Sequence, residues 1–235
     1  MVYRLVIAPE QKQAETITLT PSQQHYLKRV LRMQNGDRFV AMDGRGTSWL
    51  AEIKGELAHI LEAIDLSTEL PVAVTLIAAL PKGNNFDSVV RSCTELGVST
   101  FVPTIGDRTL LKPSSHKLER WRKIATEAAE QSERQIVPTI LPTVSFTKAI
   151  SQSNRASDRY ICVARNHHPS LWQCLQATSS EEITIAIGCE GGWTTTEVEK
   201  AIALGYQPVS LGRRILRAVT APIVAVSLVV AAFES

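Results

Sequence analysis

Two short stretches of this 235-residue chain place glycines directly after an apolar run and just before a helical pattern. The first is Ile183-Thr184-Ile185-Ala186-Ile187-Gly188-Cys189-Glu190-Gly191-Gly192-Trp193. The second is Val209-Ser210-Leu211-Gly212, which continues into Arg213-Arg214-Ile215-Leu216-Arg217. Glycines at the C-terminal end of a strand let the backbone approach a bound molecule closely, and open α/β sheets hold ligands at that end. Either cluster alone could be a purely structural turn. Two of them at what should be one sheet edge predict a shared pocket. Leu211, Ile215 and Leu216 would line an adenine-sized slot, and the neighbouring arginines would face an anionic partner. Neither stretch is Gly-x-Gly-x-x-Gly, and no Walker A lysine pattern occurs in the chain.

A third stretch could bind a polyanion. Thr20-Pro21-Ser22-Gln23 has a cap-like threonine, a first-turn proline and a glutamine three positions after the cap, which predicts a helix start. Along that helix His25, Lys28, Arg29 and Arg32 fall at i, i+3, i+4 and i+7, a basic stripe able to follow phosphates. Leu27, Val30 and Leu31 would anchor the helix to its domain. A solvated helix face has the same pattern. The absence of acidic residues between positions 16 and 36 favours RNA. Other chemistry is less visible. His167 and His168 lie near Cys162 and Cys174, but the spacing matches no zinc pattern, so no metal is expected. No Ser/His/Asp order or paired carboxylates stand out.

The elements that must position these residues change character along the chain. Residues 1–70 are β-rich, with Arg38–Met42 and Ser48–Ile53 as short runs separated by the turn Asp43-Gly44-Arg45-Gly46, and a small barrel is expected. From Pro71 onward apolar strands alternate with helical periodicity. Strands are expected at 72–80, 99–104, 159–164, 183–188 and 208–211. Helices are expected at 85–96, 117–134, 170–177, 195–204 and 220–233. This alternation predicts a mainly parallel sheet with helices on its faces over residues 71–235. Phe86, Val89, Val90, Cys93 and Leu96 mark one buried helix face, with Gly97 as its stop. Trp121, Ile124, Ala125 and Ala128 mark another. Thr194 and Glu197 form a capping box. Thr220 is expected as a cap, and Pro222 suits the first turn of the last helix.

Composition narrows the class without identifying a partner. With 44% hydrophobic and 20% charged residues the chain is neither disordered nor a disulfide-stapled miniprotein. Four scattered cysteines without a Cys-x-x-Cys, and no signal-like N-terminus, fit free thiols and a reducing cytoplasmic setting. The longest apolar run, Ile223 to Phe233, is too short for a membrane span, so no membrane partner is expected. The net charge is +2; residues 1–70 carry 8 basic and 9 acidic side chains. Any RNA contact must therefore come from local patches.

The ordered motifs resemble one family over nearly the whole chain. They are His25 with Val30-Leu31-Arg32-Met33 and Gly36-Asp37, then Asp43-Gly44, Lys82-Gly83 and Glu95-Leu96-Gly97-Val98. They continue with Glu119-Arg120-Trp121, Ile124-Ala125, Glu127-Ala128-Ala129-Glu130-Gln131, Arg134, Pro138, and the two glycine-ended stretches. In this the chain resembles the ribosomal RNA small subunit methyltransferase E family, of the SPOUT class. The resemblance implies an α/β fold: an N-terminal PUA-like RNA-binding β-barrel (1–70) and a C-terminal SPOUT domain with a trefoil knot (71–235). It also implies a homodimer that uses S-adenosyl-L-methionine to methylate N3 of a uridine in 16S, small-subunit ribosomal RNA. The family's cofactor loops map onto Ile187, Gly188, Glu190, Gly191 and Gly192, and onto Leu211, Gly212, Ile215, Leu216 and Arg217. Of these, Arg217 is the nominee for stabilising an anionic base in catalysis. Three positions depart from the family pattern. Cys189 and Arg213 replace prolines, which should loosen both loops, and Val219 replaces a glutamate. A non-catalytic ribosome-assembly factor on the same fold, or a ribose 2′-O-methyltransferase, are the alternative readings.

Overall fold

Alternating burial along short β-rich segments builds the first structural unit. The computed structural model describes residues 2–65, 67–111, 113–154, 157–165 and 167–234. These divide into two compact units, Met1–Glu69 with Thr126–Val137, and Leu70–Ala125 with Pro138–Ser235. The first contains β1 (Arg4–Val6), β2 (Lys12–Gln13), β3 (Thr16–Thr18), β4 (Arg38–Met42), β5 (Ser48–Lys54) and β6 (Leu57–Ile64). They form one sheet in the order β1-β4-β5-β6-β3-β2, with β1 parallel to β4 and the other pairs antiparallel. The inward positions Ile17, Phe39, Ala41, Ala51, Ile53 and Ala58 are fully buried together. The Asp43 carboxylate shapes the β4–β5 turn by accepting from the amides of Arg45 and Thr47, at 2.8 and 3.0 Å.

Helix α1 (Pro21–His25) starts as expected: the Thr20 hydroxyl accepts from the Gln23 amide at 3.3 Å, and the Gln23 side chain accepts from the Thr20 amide at 2.9 Å. It does not continue as a regular α-helix. Tyr26–Val30 forms a π-helical turn, closed by Leu31 N–H donating to the Tyr26 carbonyl at 2.9 Å, and Arg32 turns left-handed at φ +59°. A widened turn rotates every later residue off the 3.6-residue spacing. The stripe of His25, Lys28, Arg29 and Arg32 is therefore broken after its first members. The wider turn also changes which apolar residues anchor it: Leu27 and Met33 are buried in the core with Leu31 packed against it, whereas Val30 is exposed.

Chain segments far apart in sequence complete this unit. Val6 N–H donates to the Glu130 carboxylate at 2.7 Å, and Val137 N–H donates to the Gly44 carbonyl at 2.9 Å. The Glu69 carboxylate accepts from Arg134 Nη2 at 2.6 Å and Nε at 3.0 Å, and from the amides of Gln135 and Ile136, both at 3.0 Å. The sequence reading kept 71–235 in one domain, but residues 126–137 belong to the first unit. Bonds to partners more than 60 positions away fix that assignment, and they leave no trace in local periodicity.

The second unit is a parallel sheet. Its elements are β7 (Ala73–Ala79), α2 (Asn85–Glu95), β8 (Thr100–Ile105), α3 (Ser115–Gln131), β9 (Thr139–Ile140), β10 (Val144–Ser145) and α4 (Phe146–Gln152). Then follow β11 (Asp158–Cys162), α5 (Leu171–Leu175), β12 (Glu182–Ile187), α6 (Thr195–Ala203), β13 (Gln207–Val209) and α7 (Thr220–Phe233). The residues of α3 from Thr126 on belong to the first unit. The strand order is β10-β8-β7-β12-β11-β13, with β9 also on β8 and every pair parallel. Ile183 to Ile187 of the central β12 are all buried, so both sheet faces are covered. Helices α4 and α6 pack with Ile77, Ile161 and Ala186, while α7 packs against α2, α5 and β12. Trp121 is buried edge-on against Phe86, and its Nε1 donates to Asp87 at 3.1 Å.

Two local expectations differ from the structure. The cap of α7 is Val219, already helical at φ −84°, ψ −38°, so Thr220 lies inside the helix; Pro222 still falls in the first turn. Elements β9, β10 and α4 lie in a stretch the sequence reading left unassigned, because two-residue strands and a seven-residue helix carry too little periodicity.

The Glu69–Arg134 pair generates a stability prediction. Arg134→Ala leaves a carboxylate without its cation in a largely buried site, so unfolding stability should drop by about 3 kcal/mol. Urea denaturation followed by circular dichroism measures it, and a change below about 1 kcal/mol contradicts the assignment.

Candidate active site

Because the second sheet is parallel, the C-terminal ends of its strands share one edge. At that edge β12 runs directly into Gly188 and β13 ends two residues before Leu211. A cavity of about 690 Å³ opens there. Its wall includes Ile187, Gly188, Glu190, Gly191 and Gly192 from the first stretch and Leu211, Gly212, Ile215 and Leu216 from the second. All nine residues nominated as cofactor contacts thus meet at one cavity. Arg217 does not line it: its side chain is exposed, and its carbonyl accepts from the amides of Thr220 and Ala221, both at 2.9 Å. The arginines that do line the cavity are Arg108, Arg165 and Arg214.

The glycine loop is tight. A Cβ on Gly188 would meet the Gly192 backbone at 3.0 Å, and Gly192 itself is left-handed at φ +66° with open space beside its Cα. Gly192 N–H donates to the Cys189 carbonyl at 2.8 Å, closing the turn. Glu190 is an anchor as well as a wall residue, since its Oε1 accepts from the Lys82 amide at 3.0 Å. Cys189 is buried, and its Sγ donates to the Arg108 carbonyl at 3.3 Å. Trp193, also at the wall, stacks on Phe146 with ring centroids 4.0 Å apart.

The capping box at α6 does more than start the helix. Glu197 is buried; its Oε2 accepts from the Thr194 amide at 2.8 Å and its Oε1 from the Asp107 amide at 2.9 Å. One carboxylate therefore joins the end of the glycine loop to the β8–α3 loop. A further part of the wall comes from the end of β11 and the segment after it, including Cys162, Ala164, Arg165 and His168. Burial pushes the Cys162 thiol up to about 12, so it stays protonated at neutral pH. The backbone ties this wall to the second loop: Ser210 N–H donates to the Pro169 carbonyl at 2.9 Å and Leu171 N–H to the Ser210 carbonyl at 3.0 Å.

Sequence reasoning missed Arg108, Arg165 and His168 as wall residues. Arg108 lies 80 positions before Gly188 in a loop without a motif, and only the sheet topology brings it near. The His168 neighbourhood drew notice only as a weak metal pattern, and no metal-holding group occurs among the described residues. In the first unit His25, Arg29 and Arg32 are exposed, while Lys28 is half-buried with its Nζ donating to the Gly55 carbonyl at 2.7 Å. No helix among the described residues is long and apolar enough to cross a membrane.

The fold and the cavity define the class. Residues 68–230 match the RNA methyltransferase domain family, and residues 19–61 match the RNA methyltransferase PUA domain family. Ribosomal RNA small subunit methyltransferase E of Synechocystis is 50% identical over 241 residues, covering 100% of this chain and 79% of that protein. The Bacillus subtilis protein of the same name is 31% identical, covering 93% of this chain and 91% of its own. A crystal structure of the Neisseria gonorrhoeae enzyme of that name, bound to S-adenosyl methionine, superposes with a TM-score of 0.87 at 30% identity, covering 97% and 96% of the two chains. The chain belongs to the ribosomal RNA small subunit methyltransferase E family.

Glu197 supplies the prediction here. Glu197→Ala removes the reciprocal cap and takes the acceptor from the part-buried amides of Thr194 and Asp107, so stability should fall by about 1–2 kcal/mol. Guanidinium unfolding monitored by tryptophan fluorescence reads this, and an unchanged midpoint is incompatible with the proposed tie.

Proposed function

We propose that this protein uses S-adenosyl-L-methionine to methylate N3 of a uridine in 16S ribosomal RNA, as a homodimer with the cofactor in the cavity of the second unit. The convergence of both glycine-ended loops on one cavity, in a chain of this family, carries the reading. The residues suit the cofactor. Ile187, Leu211, Ile215 and Leu216 offer apolar surface to an adenine ring, and the open space beside Gly192 lets bare backbone reach a ligand. The resemblance's trefoil knot and its division into a PUA-like RNA-binding domain and a SPOUT domain belong to the same reading. Helix α7 supports the homodimer: it is almost wholly apolar, yet Ile223, Val224, Leu228 and Val230 are only half-buried and Ala231 is exposed.

When bound, S-adenosylmethionine supplies an electrophilic methyl group on a positively charged sulfur. The chain's task is then chiefly to hold donor and acceptor in line, which the two loops do by fixing the ligand against rigid strand ends. Uracil N3 carries a proton at neutral pH, so the acceptor must lose it to water or a base, and positive charge nearby would stabilise the anion left behind. Arg214 at the cavity wall and Arg217, exposed and outside that wall, are the proposed sources of positive charge for such an anion. Val219 provides no carboxylate that could take the proton. His25, Lys28, Arg29 and Arg32 of the first unit are the proposed phosphate contacts.

The decisive experiment combines calorimetric titration of S-adenosylmethionine with mass spectrometry of ribosomal RNA from a strain lacking the gene. Micromolar binding and loss of one N3-methyluridine support the reading. A protein that does not bind the cofactor is instead an assembly factor, and a lost ribose methyl group makes it a 2′-O enzyme. In single-turnover assays Arg217→Ala and Arg214→Ala should each slow methylation by about tenfold or more at saturating RNA and cofactor, and an unchanged rate removes that arginine from the mechanism.

The RNA contacts carry a second prediction. Replacing Lys28 and Arg29 by alanine should weaken RNA binding and reduce the slope of log K against log salt by about one phosphate-equivalent per lost contact. A salt slope equal to that of the unaltered protein contradicts the assignment.

A further inference from the structure

The loop Gly188–Trp193 offers backbone to a ligand but has little of its own to fix its shape. Its hydrogen-bonded turn, Gly192 N–H to the Cys189 carbonyl, leaves the carbonyls of Gly191 and Trp193 pointing away from the loop. Both are taken up by one side chain from another strand end. Arg108 Nη1 donates to the Gly191 carbonyl at 2.7 Å and to the Trp193 carbonyl at 3.3 Å. The contact is close along its length: a Cβ on Gly191 would meet Arg108 Cβ at 3.0 Å and Cδ at 3.1 Å. Glycine at 191 is thus the residue that lets the arginine stem lie across the loop.

Arg108 is itself held in place. Gly106 N–H donates to the Thr109 hydroxyl and Thr109 N–H to the Gly106 carbonyl, both at 3.0 Å, which closes the turn that presents the arginine. The Glu197 carboxylate fixes the amide of Asp107 in the same turn at 2.9 Å. A second tie runs the other way, from the Cys189 thiol to the Arg108 carbonyl at 3.3 Å. Side chain and main chain of one residue therefore grip the loop at Cys189, Gly191 and Trp193.

We propose that Arg108 is a positioning residue that holds the glycine loop in its ligand-accepting shape before any ligand arrives. Its benefit to binding rests on the reading of this cavity as the S-adenosylmethionine site. A guanidinium is suited to the task because its charge strengthens both bonds and its planar fork presents several donors in fixed directions, which an ammonium does not. Holding the loop in advance removes an ordering cost from binding. The effect therefore belongs in cofactor affinity, with the rate at cofactor saturation nearly preserved.

The test uses Arg108→Met, which keeps the alkyl stem beneath Gly191 and removes the donors, and Arg108→Lys, which restores a charged donor group without the planar guanidinium. Hydrogen exchange on the ligand-free protein should show the Gly192 amide exchanging about tenfold faster in Arg108→Met, with β12 unchanged and Arg108→Lys in between. The Kd for S-adenosylmethionine should rise by a similar factor. Exchange over Gly188–Trp193 equal to that of the unaltered protein overturns the proposal, with or without a cofactor result. Faster exchange with an unchanged Kd overturns the claim that the held shape serves the ligand. If the unaltered protein does not bind S-adenosylmethionine, the reading of the cavity fails, while the exchange data still decide whether Arg108 holds the loop.

Discussion

A loop that offers bare glycine backbone to a ligand draws no packing from those glycines, and the second unit is organised around that constraint. Gly188, Gly191 and Gly192 contribute no packing, so the shape of the loop is imposed by its neighbours. The β7–α2 loop takes hold through the Lys82 amide and Glu190, the β8–α3 loop through Arg108, and α6 through Glu197. All three can reach it because a parallel sheet brings the C-terminal ends of its strands to one edge, and β12 lies between β7 and β11. The order of strands decides which distant residues become neighbours of the glycines.

The same constraint clarifies two departures from the family pattern. A proline at 189 would stiffen the loop through its fixed φ. Cys189 gives up that stiffness, and its buried thiol instead reaches the Arg108 carbonyl. Rigidity that a ring would have supplied locally is replaced by a weak bond across the sheet edge. Arg213 is exposed, and nothing in the structure explains its place in the second loop. Val219 begins α7 without a side-chain cap, so its role there is to continue a helical backbone already set by the Arg217 carbonyl.

Much of this was legible in the amino-acid order, and the limits follow from the range of the interactions. Helices such as Asn85–Glu95 and Thr195–Ala203 announced themselves because burial repeats every three to four residues and their caps are local. A shared pocket lined by Leu211, Ile215 and Leu216 could be read because strand, glycine and helix follow one another within a dozen positions, and the family resemblance supplied the other wall residues of the two loops. Arg108 and His168 could not be read in this way, since their relevance depends on which strands pair. The helical spacing of the basic residues differs from expectation for another reason. Periodicity assumes one helical geometry, and the π turn at Tyr26–Val30 shifted the residues beyond it while sending Leu27 and Met33 into the core. The return of residues 126–137 to the first unit was invisible because it rests on hydrogen bonds and an ion pair with the distant residues Val6, Gly44 and Glu69.

That return has a consequence for how the chain is made. Synthesis proceeds from the N-terminus, and domains usually fold as they emerge. Here the nascent N-terminal unit lacks part of itself after Glu69 has appeared, since Glu130, Arg134 and the strand-like contact of Arg45 with Ile136 are still to come. Until Glu130 and Arg134 have been added, the Val6 amide lacks its acceptor and the Glu69 carboxylate its cation. The RNA methyltransferase PUA domain of this chain is consequently not a module that can finish folding first and wait for the rest. Its completion is tied to the emergence of α3, and severing the chain near residue 70 would release a fragment that keeps its buried cluster between Leu5 and Ala58 but lacks the partners of Val6, Gly44 and Glu69.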